Sequence, residues 1–105
     1  MGTPQEEKSL TFRILYHPQI QEDLNPINRN IQARLESAIL HRLAKAPQAY
    51  GKPLSATLSG FWKMRVGDYR VVFKIVKREI WILAIIHRKD VYSQVVKRLG
   101  WQPEA

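Results

Sequence analysis

Three cationic side chains lie close together in the segment GFWKMRVGDYRVVF, residues 60–73. Lys63 and Arg65 alternate with apolar residues as on a strand, and Arg70 follows a Gly-Asp pair typical of a two-residue hairpin turn. In a hairpin closed by that turn, Arg65 lies directly opposite Arg70. Like charges in that position destabilise a strand pair. The pattern therefore indicates that an anion binds between them.

Side chains of these types could cleave RNA by attack of a ribose 2′-hydroxyl on the adjacent phosphate. That reaction needs a base for the 2′-OH proton, cations for the pentavalent phosphorane and an acid for the leaving 5′-oxygen. Arginine offers a fork for phosphate oxygens, and Lys63 is a candidate proton acceptor. Histidine is a common general acid near neutral pH, so His87 is a candidate acid for the leaving oxygen, and Tyr92 could stack on a base or join a proton relay.

The hairpin must position these residues on one face of a sheet. Its register pairs Trp62 with Phe73 and Met64 with Val71 on an apolar side, which we expect to pack against helices. Lys63, Arg65 and Arg70 then share the other side, where Lys74 lies opposite Phe61.

A third strand, residues 79–87, extends both faces if a Lys-Arg pair forms another two-residue turn. Simple alternation then places on the apolar side Ile80, Ile82, Ala84 and Ile86. It places on the cationic side Trp81, Leu83, Ile85 and His87. Arg88 follows the strand end, and Tyr92 lies in the first turn of the last helix. A bulge or an odd-length loop would reverse this parity.

The first half of the chain predicts one strand and two helices. Residues 10–16, LTFRILY, are rich in β-formers. HPQIQEDL predicts a short helix that begins at Pro18, and Asn25 is a candidate N-cap for the next helix. That helix of about 20 residues has an apolar face and ends at Pro47. The face consists of Ile27, Ile31, Leu35, Ile39 and Leu43.

The second half predicts a connecting loop at 46–60, then three strands and a short final helix. The strands are expected at 61–66, 69–76 and 79–87, and the apolar face of the helix at Val91, Val95 and Leu99. The order β-α-α-β-β-β-α predicts an α+β fold, with two N-terminal helices and a C-terminal helix on a mostly antiparallel four-stranded sheet.

The length of 105 residues favours one domain, 1–105. Its ends, 1–9 and 100–105, are expected to be mobile. The net charge is +8. Residues 52–98 contain eleven Lys/Arg and three Asp/Glu, whereas residues 1–51 contain six and five. Such one-sided charge is typical of a protein that binds a polyanion such as nucleic acid. A solubilising basic surface is the alternative.

The composition also excludes several kinds of site and location. Cysteine is absent, which rules out a thiolate metal site and a cysteine nucleophile, and the three histidines are far apart. We expect no metal and no cofactor. No apolar run reaches the roughly 20 residues that span a bilayer, and the N-terminus lacks a signal-peptide pattern. A cytoplasmic location without membrane contact is expected.

The strings KPLSATLSGFWKMRVGDYRVVFKI and IIHRKDVY resemble the RelE/ParE superfamily of toxin–antitoxin toxins, most closely the RelE-type (RelE/YoeB-like) mRNA interferases. The resemblance covers roughly residues 10–99. It implies a RelE-like toxin of a type II toxin–antitoxin system that a cognate RelB-like antitoxin holds inactive. It also implies an endoribonuclease that enters the A site of the 70S ribosome and cuts mRNA there without a metal.

The resemblance implies roles for particular residues. Lys63 and Arg65 match a pair of basic strand positions, and Arg70 matches the phosphate-contacting arginine. Arg88 matches a late cation that stabilises the leaving group, and Tyr92 matches the C-terminal catalytic tyrosine. The predicted catalytic set is Lys63, Arg65, Arg70, His87, Arg88 and Tyr92. The predicted RNA-binding set is Lys52, Lys63, Arg65, Arg70, Lys74 and Lys89.

Two departures from the family pattern leave alternatives open. YoeB-like members carry a glutamate base before the Pro-Leu pair, but this loop reads YGKPL, which shifts the task to Lys63 or Tyr92. The turn between Arg65 and Arg70 is shorter than in RelE itself, so the match of the basic pair assumes a gap. ParE-type relatives share the fold and inhibit DNA gyrase by binding, which is the alternative function. A nucleic-acid-binding module without activity is a third.

Overall fold

The structure is a computed structural model that describes residues 11–90 and 92–104. It is an α+β fold with one mixed sheet in the order β1-β5-β4-β3-β2. Among the strands of these described residues, β1 alone runs parallel to its neighbour, β5. The strands are β1 Arg13–Tyr16, β2 Lys52–Pro53, β3 Trp62–Val66, β4 Tyr69–Val76 and β5 Glu79–His87. The predicted fold class is confirmed, but β2 adds a fifth strand within the segment expected to be a loop.

The helices are short, and several begin at other residues than the sequence predicted. They are α1 Ile20–Leu24, α2 Arg29–Ala38, α3 Pro47–Tyr50 and α4 Ser93–Lys97. Asn28, not Asn25, is the N-cap of α2, because its side-chain oxygen accepts the N–H of Asn30 at 2.8 Å. Pro18 precedes α1 rather than opening it, and Pro47 begins a helix instead of ending one.

Helix α2 continues into one π-helical turn, Ile39–Leu43, where the N–H of Ala44 bonds to the carbonyl of Ile39. A strict four-residue apolar repeat drifts by roughly 40° per step around an α-helix. The wider π-turn takes up part of that drift. Ile39 and Leu43 consequently stay at 2% and 0% exposure on the same core as Leu35, which confirms the predicted stripe.

The strand β5 contains a bulge that changes the faces of its last residues. From the β4–β5 turn, the predicted register holds as far as the pair of Phe73 with Ile82. The next residue of β4, Val72, pairs with Ala84, so Leu83 is an extra residue in β5. The hairpin of β3 and β4 has the predicted register throughout. From Ala84 to His87, each residue of β5 lies on the face opposite to the predicted one, whereas Leu83 stays on its predicted face.

The bulge divides the apolar residues between two cores. The main core packs α1 and α2 on one face of the sheet and includes Ile85, which was expected on the cationic face. Ala84 and Ile86, expected in that core, instead join a smaller cluster on the other face. The smaller cluster contains Phe61, Val72, Leu83, Ala84, Ile86 and Val95, with Tyr92, Leu99 and Trp101 packed against it.

A buried ion pair lies at the β1–β5 edge of the sheet. The guanidinium of Arg98 donates to both carboxylate oxygens of Asp23, at 2.8 and 2.9 Å, and to the carbonyl of Leu83 at 3.1 Å. Asp23 also accepts the N–H of Ile85 at 3.0 Å. The pair thus satisfies backbone groups of β5 beyond the end of β1.

The C-terminal segment packs back onto this edge. The ring of Trp101 lies 5.1 Å from that of His17 and 6.0 Å from that of Trp81. Val95 is buried, as predicted for the apolar face of the last helix. Val91 and the predicted mobile end 1–9 lie outside the described residues. Within the described part of the chain, the helices are too short and too polar to cross a bilayer.

Candidate nucleic-acid interface

Near the β2–β3 edge of the sheet, like charges lie directly opposite each other on neighbouring strands at two places. Arg65 of β3 pairs with Arg70 of β4, as the hairpin register predicted. The unpredicted strand β2 adds a second case, because Lys52 pairs with Lys63. Each such pair costs stability, and the fold places two of them side by side.

These four cations surround one open cavity of about 320 Å³. Two further side chains, Arg42 and Tyr50, complete its polar lining, and every charged residue that lines it is basic. We call this the cationic cavity; it is lined by Arg42, Tyr50, Lys52, Lys63, Met64, Arg65 and Arg70. A polyanion entering here would meet five cations and no carboxylate.

Gly51 allows the chain to bring Tyr50 and Lys52 to the cavity. A Cβ at Gly51 would stand 2.6 Å from the ring of Phe73 and 2.9 Å from the carbonyl oxygen of Pro47. Only glycine permits so close an approach of backbone and buried ring. Tyr50 is 50% exposed beside it.

The β3–β4 turn orients two arginines. Arg70 donates through Nη1 to the carbonyls of Gly67 and Tyr69, at 3.1 and 2.9 Å, which fixes its guanidinium near the turn. Arg88 donates its backbone N–H to the carbonyl of Asp68 at 2.7 Å, and its Nε lies 3.2 Å from Asp68 Oδ1. Arg88 therefore reaches the same turn, although it does not line the cavity.

His87 lies on the other face of the sheet, so its predicted place among the cations is wrong. The bulge at Leu83 turns it toward Tyr69, and the two rings meet edge to face at 5.3 Å. It lines a separate pocket with Glu22, Asp23 and Asp90. Even here, no cluster of three or more His, Asp or Glu able to hold a metal ion occurs within 11–90 and 92–104.

Tyr92 lies on the same face of the sheet as Arg70. It packs against the smaller cluster, whose member Ile86 is the strand partner of Arg70. Tyr92 is half-buried there and is the N-cap residue of α4, so it precedes the first turn in which the sequence predicted it.

Two of the predicted RNA-binding lysines lie away from the cationic cavity. Lys74 shares the face of Arg70 but is four residues along β4, about 13 Å away. Its ammonium lies over the rings of Phe61 and Trp81, at 5.5 and 5.9 Å. The backbone of Lys89 donates to His87 Nδ1 at 3.2 Å, which places Lys89 in the turn after β5.

Sequence reasoning missed Arg42 and Tyr50 as parts of the cavity. The guanidinium of Arg42 lies 5.8 Å from the centroid of the Tyr50 ring, within the range of a cation–π contact. Arg42 lies off the apolar stripe of its helix, and that position alone does not distinguish it from a solvated arginine.

Comparison with known proteins identifies the family of this chain. Residues 14–92 match the family described as ParE toxin of type II toxin-antitoxin system, parDE. Toxin RelG of Mycobacterium tuberculosis is 27% identical over 87 residues, which cover 81% of this chain and 100% of RelG.

Solved structures share the architecture. The toxin-antitoxin complex RelBE2 from Mycobacterium tuberculosis matches with a TM-score of 0.70 and 26% identity, over 74% of this chain and 99% of that one. An arginine double mutant of E. coli toxin RelE in the free state matches with a TM-score of 0.64 and 11% identity, over 84% and 93%, and shows the fold alone. With its family match, its relatives and its fold in agreement, the chain belongs to the RelE/ParE superfamily of type II toxin–antitoxin toxins.

Proposed function

We propose that this toxin is an endoribonuclease that cleaves mRNA in the ribosomal A site. The observation that carries the proposal is that two opposed pairs of like charges line one cavity without a carboxylate. These pairs are Lys52 with Lys63 and Arg65 with Arg70. A phosphodiester between these side chains would offset their repulsion. Such an activity belongs in the cytoplasm, where ribosomes translate.

In the proposed reaction the ribose 2′-oxygen forms a bond to phosphorus while the bond to the 5′-oxygen breaks. Lys63 or Tyr92 takes the 2′-OH proton. Arg65 and Arg70 hold the phosphorane oxygens, whose charge grows in the transition state. The 5′-oxygen leaves as an alkoxide that takes its proton from water, and the other product carries a 2′,3′-cyclic phosphate.

Arg88 is the residue we assign to the leaving 5′-oxygen. It reaches the turn where the guanidinium of Arg70 is fixed, and a guanidinium stabilises developing negative charge without giving up a proton. His87, the other sequence candidate, faces Tyr69 on the opposite side of the sheet, so the proposal gives it no part in the reaction.

The test is primer extension on a defined mRNA translated in a purified system, with and without the protein. We expect cuts within A-site codons. Arg70→Ala combined with Arg88→Ala should reduce the cleavage rate by at least about 100-fold, because oriented donors to a developing charge contribute on that scale. Arg13→Ala combined with Arg29→Ala removes the same charge from exposed sites elsewhere and should leave the cuts in place. Intact mRNA beside folded wild-type protein would refute the proposal.

The family match favours a second candidate, since its description is that of the ParE toxin. A ParE-like protein would inhibit DNA gyrase by binding it and leave mRNA whole. A gyrase supercoiling assay distinguishes the two activities. Inhibition that survives loss of Arg70 and Arg88, together with intact mRNA, would support this second candidate.

We also propose that a RelB-like antitoxin is the cognate partner. The solved relatives include a RelB-RelE antitoxin-toxin complex from Methanococcus jannaschii and an archaeal RelE-RelB complex from Pyrococcus horikoshii. Co-purification with the product of an adjacent small gene would test this partnership, and loss of toxicity on co-expression would confirm it.

A further inference from the structure

A second basic cleft adjoins the cationic cavity along the edge of β3. It has a volume of about 530 Å³ and lies between the C-terminal half of α2, the π-turn and the β3–β4 turn. Arg42 and Arg65 line both spaces, so the two lie side by side. Arg34, Ser37 and His41 line only the second, which we call the helix-side cleft.

The shape of the helix brings Arg34 and Arg42 to the same cleft. Residues eight apart on an unbroken α-helix are offset by roughly 80° around its axis. The π-turn between them is wider than an α-turn and reduces that offset. The guanidinium nitrogens of Arg34 lie 3.7 and 3.9 Å from the position of a Cβ on Gly67, so this arginine spans from the helix to the β3–β4 turn.

The charges along this edge are uncompensated. Within 11–90 and 92–104, ion pairs form at Arg13, Arg88 and Arg98, each with an acidic partner. None of the cations of the two clefts has such a partner there, and neither cleft is lined by a carboxylate. Those cations are Arg34, Arg42, Lys52, Lys63, Arg65 and Arg70. A contiguous row of unpaired cations is the footprint of a polyanion longer than one phosphate.

We propose that the RNA strand held in the cationic cavity continues around the edge of β3 into the helix-side cleft, where Arg34 and Arg42 bind its phosphates. This inference rests on the proposed function and extends the RNA site beyond the scissile phosphate. Ser37 and His41 offer further hydrogen bonds to phosphate or to a 2′-hydroxyl.

The path favours a single strand. Arg70 and α2 lie on opposite faces of the sheet, so the bound chain must curve around the edge of one strand. Single strands bend readily, whereas duplex DNA is stiff over about 50 nm.

The test measures how binding of an uncleavable, 2′-O-methylated single-stranded RNA of about 12 nucleotides depends on salt. Each phosphate contact contributes about 0.7 to the slope of log affinity against log salt for single strands. We expect Arg34→Gln to reduce the slope by that amount between about 50 and 200 mM salt. Arg29→Gln is the matched control, because it removes an exposed arginine of the same helix that lines neither cleft.

Oligomer length provides a second arm. A fragment of about 4 nucleotides fills the cationic cavity alone, so its binding should be the same for wild type and for Arg34→Gln. Equal slopes for Arg34→Gln and Arg29→Gln on the longer RNA would overturn the inference, as would wild-type protein without salt-dependent binding. Cleavage on ribosomes is measured separately by primer extension, so either result leaves the proposed function to its own test.

Discussion

Positive charges are paired with carboxylates at one edge of the sheet and lie opposite other positive charges at the other edge. At the β1–β5 edge, Arg98 is 8% exposed and makes a bidentate pair with the 5% exposed carboxylate of Asp23, and Arg13 lies 4.0 Å from Glu79. At the β2–β3 edge, by contrast, cations face cations. Identical side-chain chemistry therefore serves two purposes within one small domain.

The difference shows how to separate structural from functional arginines in this fold. A buried guanidinium must be paired, because an isolated charge away from water is very costly. An exposed one is screened by water and can remain unpaired at a small cost. Among the described residues, the cations of the β2–β3 edge have no carboxylate partner, so their charge is available for a ligand. Arg98 instead donates its hydrogen bonds to Asp23 and Leu83 inside the protein.

The largest effect we predict comes from breaking the buried pair. Arg98→Met leaves Asp23 as an uncompensated buried carboxylate and should lower the free energy of unfolding by about 3–5 kcal/mol. Urea unfolding followed by circular dichroism measures it. Arg88→Met, which breaks the exposed pair with Asp68 at 3.2 Å, should cost no more than about 1 kcal/mol.

A double variant guards against the case in which Arg98→Met does not fold. Asp23→Leu combined with Arg98→Met removes both charges and should recover part of the loss. Equal stability of Arg98→Met and Arg88→Met would show that the buried pair does not stabilise the fold.

A smaller effect is expected from Gly51, the position at the β2–β3 edge where packing is critical. Gly51→Ala places a methyl group 2.6 Å from the ring of Phe73 and should cost about 1–3 kcal/mol through forced shifts. Gly100→Ala is its control, since a Cβ there meets nothing within 4 Å and the change should stay within about 0.5 kcal/mol. If both variants unfold at the same urea concentration, the close approach at Gly51 is not a constraint.

A third prediction concerns the unpaired cations themselves. Arg65→Gln removes one side of the opposed pair with Arg70 and should raise the free energy of unfolding by roughly 0.2–1 kcal/mol. The gain should shrink at high salt because exposed charges are screened. Urea unfolding at two salt concentrations measures it. A destabilised variant, or a gain independent of salt, would show that Arg65 supports the fold rather than a ligand site.

Much of the fold followed from the sequence because its local signals were strong. The Gly-Asp turn set every pair of the β3–β4 hairpin, including the opposition of Arg65 and Arg70. The apolar stripe that ends at Leu43 located the main core. These features depend on turn chemistry and periodicity, which neighbouring residues determine.

The errors arose where the local signal was ambiguous or the contact was distant. Residues 82–86 of β5 are all apolar, so alternation could not reveal the extra residue at Leu83, and His87 was placed on the wrong face. Asp23 and Arg98 meet across 75 residues of sequence. Arg34 and Arg42 escaped prediction because the charge excess belongs to the second half of the sequence, whereas folding brings α2 and the π-turn beside β3.

The smallest predicted effect concerns pH at the β1–β5 edge. Burial, and then the positive charge of Arg98, lowers the pKa of His17 below its usual value near 6.5, while Asp23 opposes the change. His17 Nδ1 also accepts the N–H of Gln19 at 3.0 Å, a bond that protonation at that nitrogen removes.

The folded-state pKa of His17 therefore lies below the unfolded-state value, and the unfolded chain binds more protons between the two. The free energy of unfolding should fall as the pH is lowered through that window, and this contribution should be complete above pH 6.5. His17→Asn keeps a side-chain acceptor but does not titrate, so wild type should lose slightly more stability than this variant on acidification. Urea midpoints on both sides of the window measure the difference. If wild type and His17→Asn lose the same stability on acidification, His17 is as well solvated as a surface histidine. Only the Arg98–Asp23 pair would then distinguish this edge from the cationic one.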